Sequence, residues 1–403
     1  RSMGRRELRR TWVAGAVLAS TVSAVGIAAP VAAQTPSVTQ VATGVTAFVG
    51  VAGAPNQSFF GPGYPFDNVD QFTEAFPSAA PELKNSVMSY FTTGGQRMSV
   101  YPSASNAAGD LSAAIETTTI PVNNSLPANL LVVPALGGLN GEDYYSVAVK
   151  LNSAAATVSG MSLLDLPQQV VQAANTTGDV SGAMLVGETL INRLPSPATA
   201  ALYTSSLIDP VAHTAVSGAG VAAGLFNTSD TRFGVWADPA GDALPLEGYV
   251  PQWFPGAAAG GDMEAIGLNS FRVSAATGLP ELWGARTLAT RDQSTRYIAA
   301  VRTAQNISNS LNEGLLWTRF ETDGPSLLKQ VNGAVDTWMS GLAADGAFGH
   351  WSSMPGYVVV ANESNNSVAD IAAGRVNVAV AYQSSAQPEY FGVHVTARAA
   401  PGI

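Results

Sequence analysis

Gly218-Ala219-Gly220-Val221-Ala222-Ala223 has residue types and a spacing that match a cofactor-binding pattern. In a dinucleotide site, such glycines let the backbone approach a pyrophosphate at a helix start, and an acid about 20 residues on holds the ribose. Asp238 stands at that distance, but within the turn Trp236-Ala237-Asp238-Pro239. The run therefore reads as the start of a closely packed helix. Other chemistries find less. The lysines are Lys84, Lys150 and Lys329, none in a Gly-Lys-Ser/Thr phosphate loop, which argues against a nucleotide-driven motor. His213, His350 and His394 lack metal-ligand spacing. Ser-Gly pairs at 159, 181, 217 and 340 lie outside any Gly-x-Ser-x-Gly elbow. Glu116 and Asp110 have no context for acid–base work. With no cysteine, disulfides and thiolate metal sites are excluded. No catalytic, cofactor-binding or metal residues are expected, and the chain reads as a non-enzyme.

The elements around these residues alternate. Val41 to Val51 reads as a strand around Val45-Thr46-Ala47-Phe48-Val49-Gly50, Val69–Phe76 and Pro81–Phe91 as helices, and Met98–Tyr101 as a strand. Residues 103–200 are rich in Ala, Ser, Thr, Asn and Gly; Leu130–Val133 and Tyr144–Leu151 read as strands there. Tyr297, Val301, Ala304, Ile307 and Leu311 recur at helical spacing, with Asp292 or Ser294 to cap the start and Gly314 to stop it. Leu315–Phe320 alternates as a strand, and Asp323-Gly324-Pro325 marks a turn. A second helix follows with Leu327, Leu328, Val331, Val335, Trp338 and Leu342 on one face, then strands at Tyr357–Ala361, Arg375–Tyr382 and Glu389–Arg398. Strands separated by helices imply an α/β layered body.

At 403 residues the chain has room for two or three domains, and 46 % apolar residues suffice for real cores. Only 12 % are charged, which suits a protein packed against copies of itself. Five arginines against Glu7 give the first ten residues +4, leaving −14 on the remainder of a chain whose net charge is −10. An acidic body does not suit nucleic-acid binding. The N-terminus has the layout of an export signal: Arg5-Arg6-Glu7-Leu8-Arg9-Arg10, an apolar run from Trp12 to Ala29, and Val31-Ala32-Ala33 before Gln34. The run is diluted by Gly15, Ser20, Thr21, Ser23, Gly26 and Pro30, so it is weak as a membrane span. The alternatives here are an interaction arm and a secreted or surface-layer structural protein. The triplets at Asn175, Asn227 and Asn306 would be glycan acceptors only in the second case.

Residues 283–321 carry the strongest pattern: Trp283-Gly284-Ala285-Arg286-Thr287, then Arg296-Tyr297-Ile298 and Val301-Arg302, then Phe320-Glu321. Upstream lie Ala47-Phe48-Val49-Gly50, Tyr90-Phe91-Thr92-Thr93-Gly94-Gly95, Ala200-Ala201-Leu202-Tyr203 with Asp209-Pro210, Asp230-Thr231-Arg232-Phe233-Gly234-Val235-Trp236, and Ile266 to Asn269 ending in Arg272. In order and spacing these blocks resemble the contractile tail sheath family of phages, R-type bacteriocins and phage-like injection systems. Thr93 stands where relatives have Asn, which tolerates left-handed backbone better. The Pro-Gly-Val-Tyr-Val-Glu strand that opens many relatives is replaced by the Arg- and Ala-rich extension.

The resemblance implies an α/β (α+β) multidomain sheath fold: an extension arm over 1–40, an outer or inserted β-rich domain over 41–200 with strand 44–50 contributing to the core, a conserved core over 201–388, and a C-terminal strand or arm over 389–403. The family-signature core would be Trp236, Asn269, Arg272, Trp283, Gly284, Arg286, Thr287, Arg296, Tyr297, Arg302, Phe320 and Glu321. Val22, Val25, Ile27 and Val31 in one arm, and Phe391, Val393 and Val395 in the other, would reach neighbouring subunits by completing sheet edges. Implied partners are identical subunits in hexameric rings and a helical polymer, an inner tube protein, and baseplate and terminator proteins. Direct nucleic-acid contact and stable membrane insertion are not expected. Contraction without ATP would drive the tube through an envelope, in a virion assembled in a host bacterial cytoplasm. Asp336 and Asp345 are candidates for the tube contact.

Overall fold

Ala47-Phe48-Val49 and Leu130-Leu131-Val132 are apolar at every position, so strands built from them need cover on both faces. A computed structural model describes residues 37–56, 61–120, 128–204, 207–253, 255–321, 324–349 and 356–384. All of them belong to one compact unit, Pro36–Ile403. In chain order the strands are β1 Thr46–Gly50, β2 Tyr64–Phe66, β3 Met98–Pro102, β4 Leu130–Val132, β5 Met161–Asp165, β6 Ala200–Tyr203, β7 Leu207–Asp209, β8 Thr214–Val216, β9 Val250–Pro251, β10 Leu268–Val273, β11 Pro280–Trp283, β12 Tyr357–Val360 and β13 Ala379–Tyr382. The helices are α1 Val69–Ala75, α2 Pro81–Thr92, α3 Ala108–Thr117, α4 Gly141–Thr157, α5 Gln168–Thr177, α6 Ser181–Arg193, α7 Gly218–Phe233, α8 Ala257–Ala265, α9 Ile298–Gly314, α10 Pro325–Ala344 and α11 Val368–Ala372.

Eight strands form the main sheet in the order β11-β10-β6-β5-β4-β1-β3-β2. The six from β10 to β3 are parallel, with antiparallel β11 and β2 at the two ends. Alternate side chains enter opposite cores. Ala47, Val49, Leu131 and Leu164 join Leu111, Tyr144, Val147, Leu151 and Leu190 of α3, α4 and α6 on one face. Phe48, Leu130, Val132 and Leu163 join Phe72, Leu83, Val87, Tyr90 and Phe226 of α1, α2 and α7 on the other. The result is a three-layer α/β/α body, as the alternating elements imply. A third core packs Ile307 and Leu311 of α9 with Leu327, Val331, Val335 and Met339 of α10 beneath β12 and β13. Helix α9 serves two cores, because Ile298 at its start lies in the second.

The structure departs from the sequence reading at definite places. Tyr144–Leu151 is helix, inside α4. Tyr144, Val147, Ala148 and Leu151 are all buried at i, i+3, i+4 and i+7, so helical burial overrode the β-propensity of Tyr and Val. Leu315–Phe320 is not a strand. Leu316–Phe320 is a 3-10 helix continuing from α9, with the Thr318 amide on the Leu315 carbonyl at 3.0 Å. Asp292 and Ser294 do not cap α9; the Asp292 carboxylate accepts from the Ser294 amide in a separate turn, and Tyr297 takes the cap position. Thr93 avoids left-handed backbone at φ −93°, and Gly94 takes it at φ +104°. The Thr93 hydroxyl instead donates to the Ser89 carbonyl at 2.8 Å, inside the protein. The sheet runs without a break across residue 200, where a domain boundary was expected, since β4, β5 and β6 are direct neighbours. The final strand expected at 389–398, the C-terminal arm and residues 1–36 of the N-terminal arm lie outside the described residues; the last residues of the arm expected over 1–40 belong to the body, with Val38 buried in the third core.

Gly220 and Gly224 of α7 let α2 approach closely. A Cβ at 224 would sit 2.0 Å from Thr93 Oγ1 and 2.4 Å from the Tyr90 carbonyl oxygen; one at 220 would sit 2.1 Å from Ser86 Oγ. Gly224→Ala must push the helices apart and is expected to cost about 3 kcal/mol in urea unfolding. Gly220→Ala clashes mainly with one hydroxyl, so adding Ser86→Ala should restore wild-type stability or exceed it through the better helix propensity of alanine. Equal losses in all three variants would refute this account of the helix contact.

Candidate functional site

Five signature residues, Gly284, Arg286, Thr287, Arg296 and Tyr297, gather near Asn269. This side chain is fully buried at the end of β10 next to β6. Its amide donates to the Leu202 carbonyl at 3.1 Å and the Arg286 carbonyl at 2.9 Å, and its oxygen accepts from the Arg286 amide at 2.9 Å. One side chain thus ties β6 and β10 to the turn after β11. Gly284 in that turn has φ +103°, and a Cβ there would lie 2.9 Å from Asn269 Oδ1, so both backbone conformation and space require glycine. Thr287 closes the other side. Its amide donates to the Arg296 carbonyl at 2.8 Å and its hydroxyl to the Thr295 carbonyl at 2.6 Å. Arg286 bridges to Tyr297 in antiparallel fashion and reaches Glu264 at 3.2 Å, with its guanidinium over the Tyr297 ring. The Gly-Ala-Arg-Thr part of the run is therefore a junction, built on buried Asn269 and Thr287, that seats the start of α9.

Arg272 and Trp283 face outward from the hairpin β10–β11. The guanidinium lies over the half-exposed indole while its Nε donates to Glu281 Oε1 at 2.7 Å. Glu281 is 1 % exposed, and burial raises its carboxyl above the usual range against the opposing pull of Arg272. Arg302 stands apart on α9 and points into the protein. It forms a two-pronged pair with Asp230 of α7, at 2.7 Å and 2.6 Å, beneath the Phe226 ring. Both side chains are more than nine-tenths buried. Trp236 is half-buried against the third core. Phe320 is the last residue of the 3-10 helix, and Glu321 is exposed beyond it. Val22, Val25, Ile27, Val31, Phe391, Val393 and Val395 lie outside the described residues.

The glycine-rich run does open a helix, α7, and follow β8, as a phosphate site would require, but the chain supplies its own anion there. Asp165, at the end of β5, accepts from the Ala219 amide at 2.8 Å and the Ser217 hydroxyl at 2.5 Å, and Ser217 caps the Gly220 amide. Burial raises Asp165 to about 6, opposed by those hydrogen bonds. A cavity of about 360 Å³ lies beside it, lined by Glu82, Asn106, Gln168 and the loop after β4. Asp238 lies by the start of α9 with one carboxylate oxygen buried and unpartnered, and burial raises it to about 6, opposed by the Ala299 amide. Neither aspartate was singled out as a cap from sequence, because each reaches a helix distant in the chain. Glu116 pairs with Lys150, and Asp110 accepts from the Ser105 hydroxyl, so those two acids do not act together. Asn227 and Asn306 are buried, which removes them as glycan acceptors in the folded chain. Among the described residues, no group of three or more His, Asp or Glu side chains could hold a metal ion.

No family model and no curated protein matches the sequence. Solved structures do. The contracted helical sheath of the anti-feeding prophage is similar with a TM-score of 0.69 at 21 % identity, over 92 % of this chain and 98 % of that one. The sheath of an extracellular contractile injection system, PVC, in its contracted state, gives 0.67 at 19 %, over 89 % and 92 %. A sheath tail protein from Listeria innocua gives 0.54 at 8 %, over 90 % and 96 %. The chain has the contractile sheath fold. Within that fold, the Asn269 junction seats the start of α9 beside the sheet, Gln305 of α9 donates to the Gly160 carbonyl before β5 at 2.8 Å, and the Asp230–Arg302 pair joins α9 to α7.

Two outcomes check this description of the sheath fold. Asn269→Ala leaves the Arg286 and Leu202 backbone groups unpaired and is expected to cost about 3 kcal/mol in urea unfolding. Asn269→Asp should cost more, because a carboxylate would face two carbonyl oxygens. The second concerns pH. With Asp165 raised to about 6 when folded, the folded chain holds a proton that the unfolded chain releases near pH 4. That contribution is present below about pH 4 and lost as pH rises through about 6. Relative to Asp165→Asn, the wild type should gain up to about 3 kcal/mol between pH 7 and pH 4. A pH-independent difference would contradict the burial of this charge.

Proposed function

We propose that the chain is a structural subunit of a contractile sheath. The observation that carries this reading is the likeness to sheath structures over about nine-tenths of both partners. The ordered signature blocks support it further; part of them, Asn269 with Gly284, Arg286 and Thr287, folds into one junction. In this reading copies assemble as hexameric rings stacked into a helical sleeve around an inner tube, bounded by baseplate and terminator proteins. The setting is a phage or phage-like particle assembled in a bacterial cytoplasm. Energy is stored at assembly and released without ATP, as subunits slide into a lattice with more buried interface. Val22, Val25, Ile27 and Val31 before the body, and Phe391, Val393 and Val395 after it, act as the arms. The two-stranded sheet β12–β13 is a natural place for such strands to add. Among the described residues no helix is long and apolar enough to cross a membrane, and insertion has no part in this mechanism.

Negative-stain microscopy of the purified chain at high concentration tests the proposal. Sheath-like tubes or rings are expected, and a strictly monomeric chain beginning near Gln34 by mass spectrometry would favour a secreted protein instead. Deleting 1–36 or 385–403 should abolish polymerisation while shifting the unfolding free energy of the body by less than about 1 kcal/mol. Tubes that survive both deletions would remove the arms from the mechanism.

A further inference from the structure

We infer that residues 38–45 form a clamp, locked by Asp230 and Arg302, that delivers tension on the N-terminal segment to the centre of the main sheet. The use of that tension in a sleeve rests on the function proposed above; the clamp itself is a property of the single chain.

Four consecutive backbone groups are each held by a side chain from elsewhere in the body. The Val41 amide donates to Ser310 Oγ of α9 at 3.0 Å. The Asn129 amide donates to the Ala42 carbonyl at 2.6 Å. Arg302 Nη2 donates to the Thr43 carbonyl at 2.9 Å. Asn227 of α7 and Tyr90 of α2 donate to the Gly44 carbonyl at 3.0 Å and 3.2 Å. The Thr43 hydroxyl also donates to Asp230, the partner of Arg302. Val38 is buried with Ile307 and Leu311 and lies against Gly314. Gly44 is close-packed, since a Cβ there would lie 2.2 Å from Asn227 Oδ1.

The Asp230–Arg302 pair does more than fasten α7 to α9. Part of its hydrogen-bonding capacity goes to Thr43, from both members of the pair. A pair serving only the two helices would not need that third partner, and buried pairs are weak contributors to net stability in any case. From Val45 the chain enters β1 between β3 and β4, paired to Met98–Pro102 on one side and Leu130–Val132 on the other. A pull from the N-terminal side therefore meets side-chain bonds along 41–44 first. It must then shear two parallel ladders together instead of opening one from an end.

Single-molecule force measurements on the full chain test this directly. The chain has no cysteine, so introduced thiols are unique handles. Handles at Ser37→Cys and Glu363→Cys load the clamp; handles at Ala275→Cys and Glu363→Cys bypass it. Combining Asp230→Asn with Arg302→Gln is expected to speed rupture at fixed force about tenfold or more in the first geometry, with little change in the second. Equal acceleration in both geometries, or none in the first, overturns the inference. If that double variant does not fold, Thr43→Val with Ser310→Ala removes two clamp bonds and keeps the ion pair, and the same directional result is required of it. A chain that forms no tubes yet shows the directional effect would sink the sheath reading and leave the clamp standing; tubes without the effect would do the reverse.

Discussion

Covering both faces of a six-strand parallel ladder is the constraint from which most of this structure follows. Strands such as β1 and β4 carry no polar face, so helices must lie above and below them, and the backbone ends of those helices are drawn inside. Polar groups at that depth need partners supplied by the protein itself. Asp165 answers this need for α7 and Asn269 for the turn that precedes α9. These few side chains, far apart in sequence, fix where the helices begin and so fix the layers.

The same architecture in other proteins leaves a crevice for ligands where parallel strands end and the strand order reverses. Here the order β3-β1-β4 contains that reversal, and a cavity lies nearby, beside Asp165. Yet the glycine-rich helix start is closed by an internal carboxylate, and its glycines serve contact with α2. An arrangement that elsewhere receives phosphate has become packing. The fold thus fits a part that acts through its outer surface and its ends.

Much of the layering was legible in the sequence. Apolar runs marked β1, β3 and β4, and the 3.6-residue period marked α9 and α10, because those signals are local; β6 was legible only through the sheath resemblance. The Trp-Gly-Ala-Arg-Thr block was legible as a pattern, and Gly284 had a definite reason to be glycine, although its partner Asn269 lies 15 residues away. Tyr144–Leu151 was misread because Tyr and Val favour strands while their spacing fits a helix equally well. Leu315–Phe320 was misread because six residues cannot separate alternation from a 3-10 turn. Contacts joining Asp165 to Ala219 or Thr43 to Arg302 span 54 and 259 positions, and no local pattern announces them.

Helix α9 threads two cores, with Ile298 under the main sheet and Ile307 and Leu311 under β12 and β13. A single rigid rod thus carries two unequal loads. Its first turns are held by an eight-strand sheet, while its last turns hold a two-stranded ribbon too small to stand alone. The ribbon therefore takes its place from α9 and α10, whose buried side chains form a core of their own, while the larger core is built from other residues. What sits at the far end of the rod is in this way separated from the integrity of the centre.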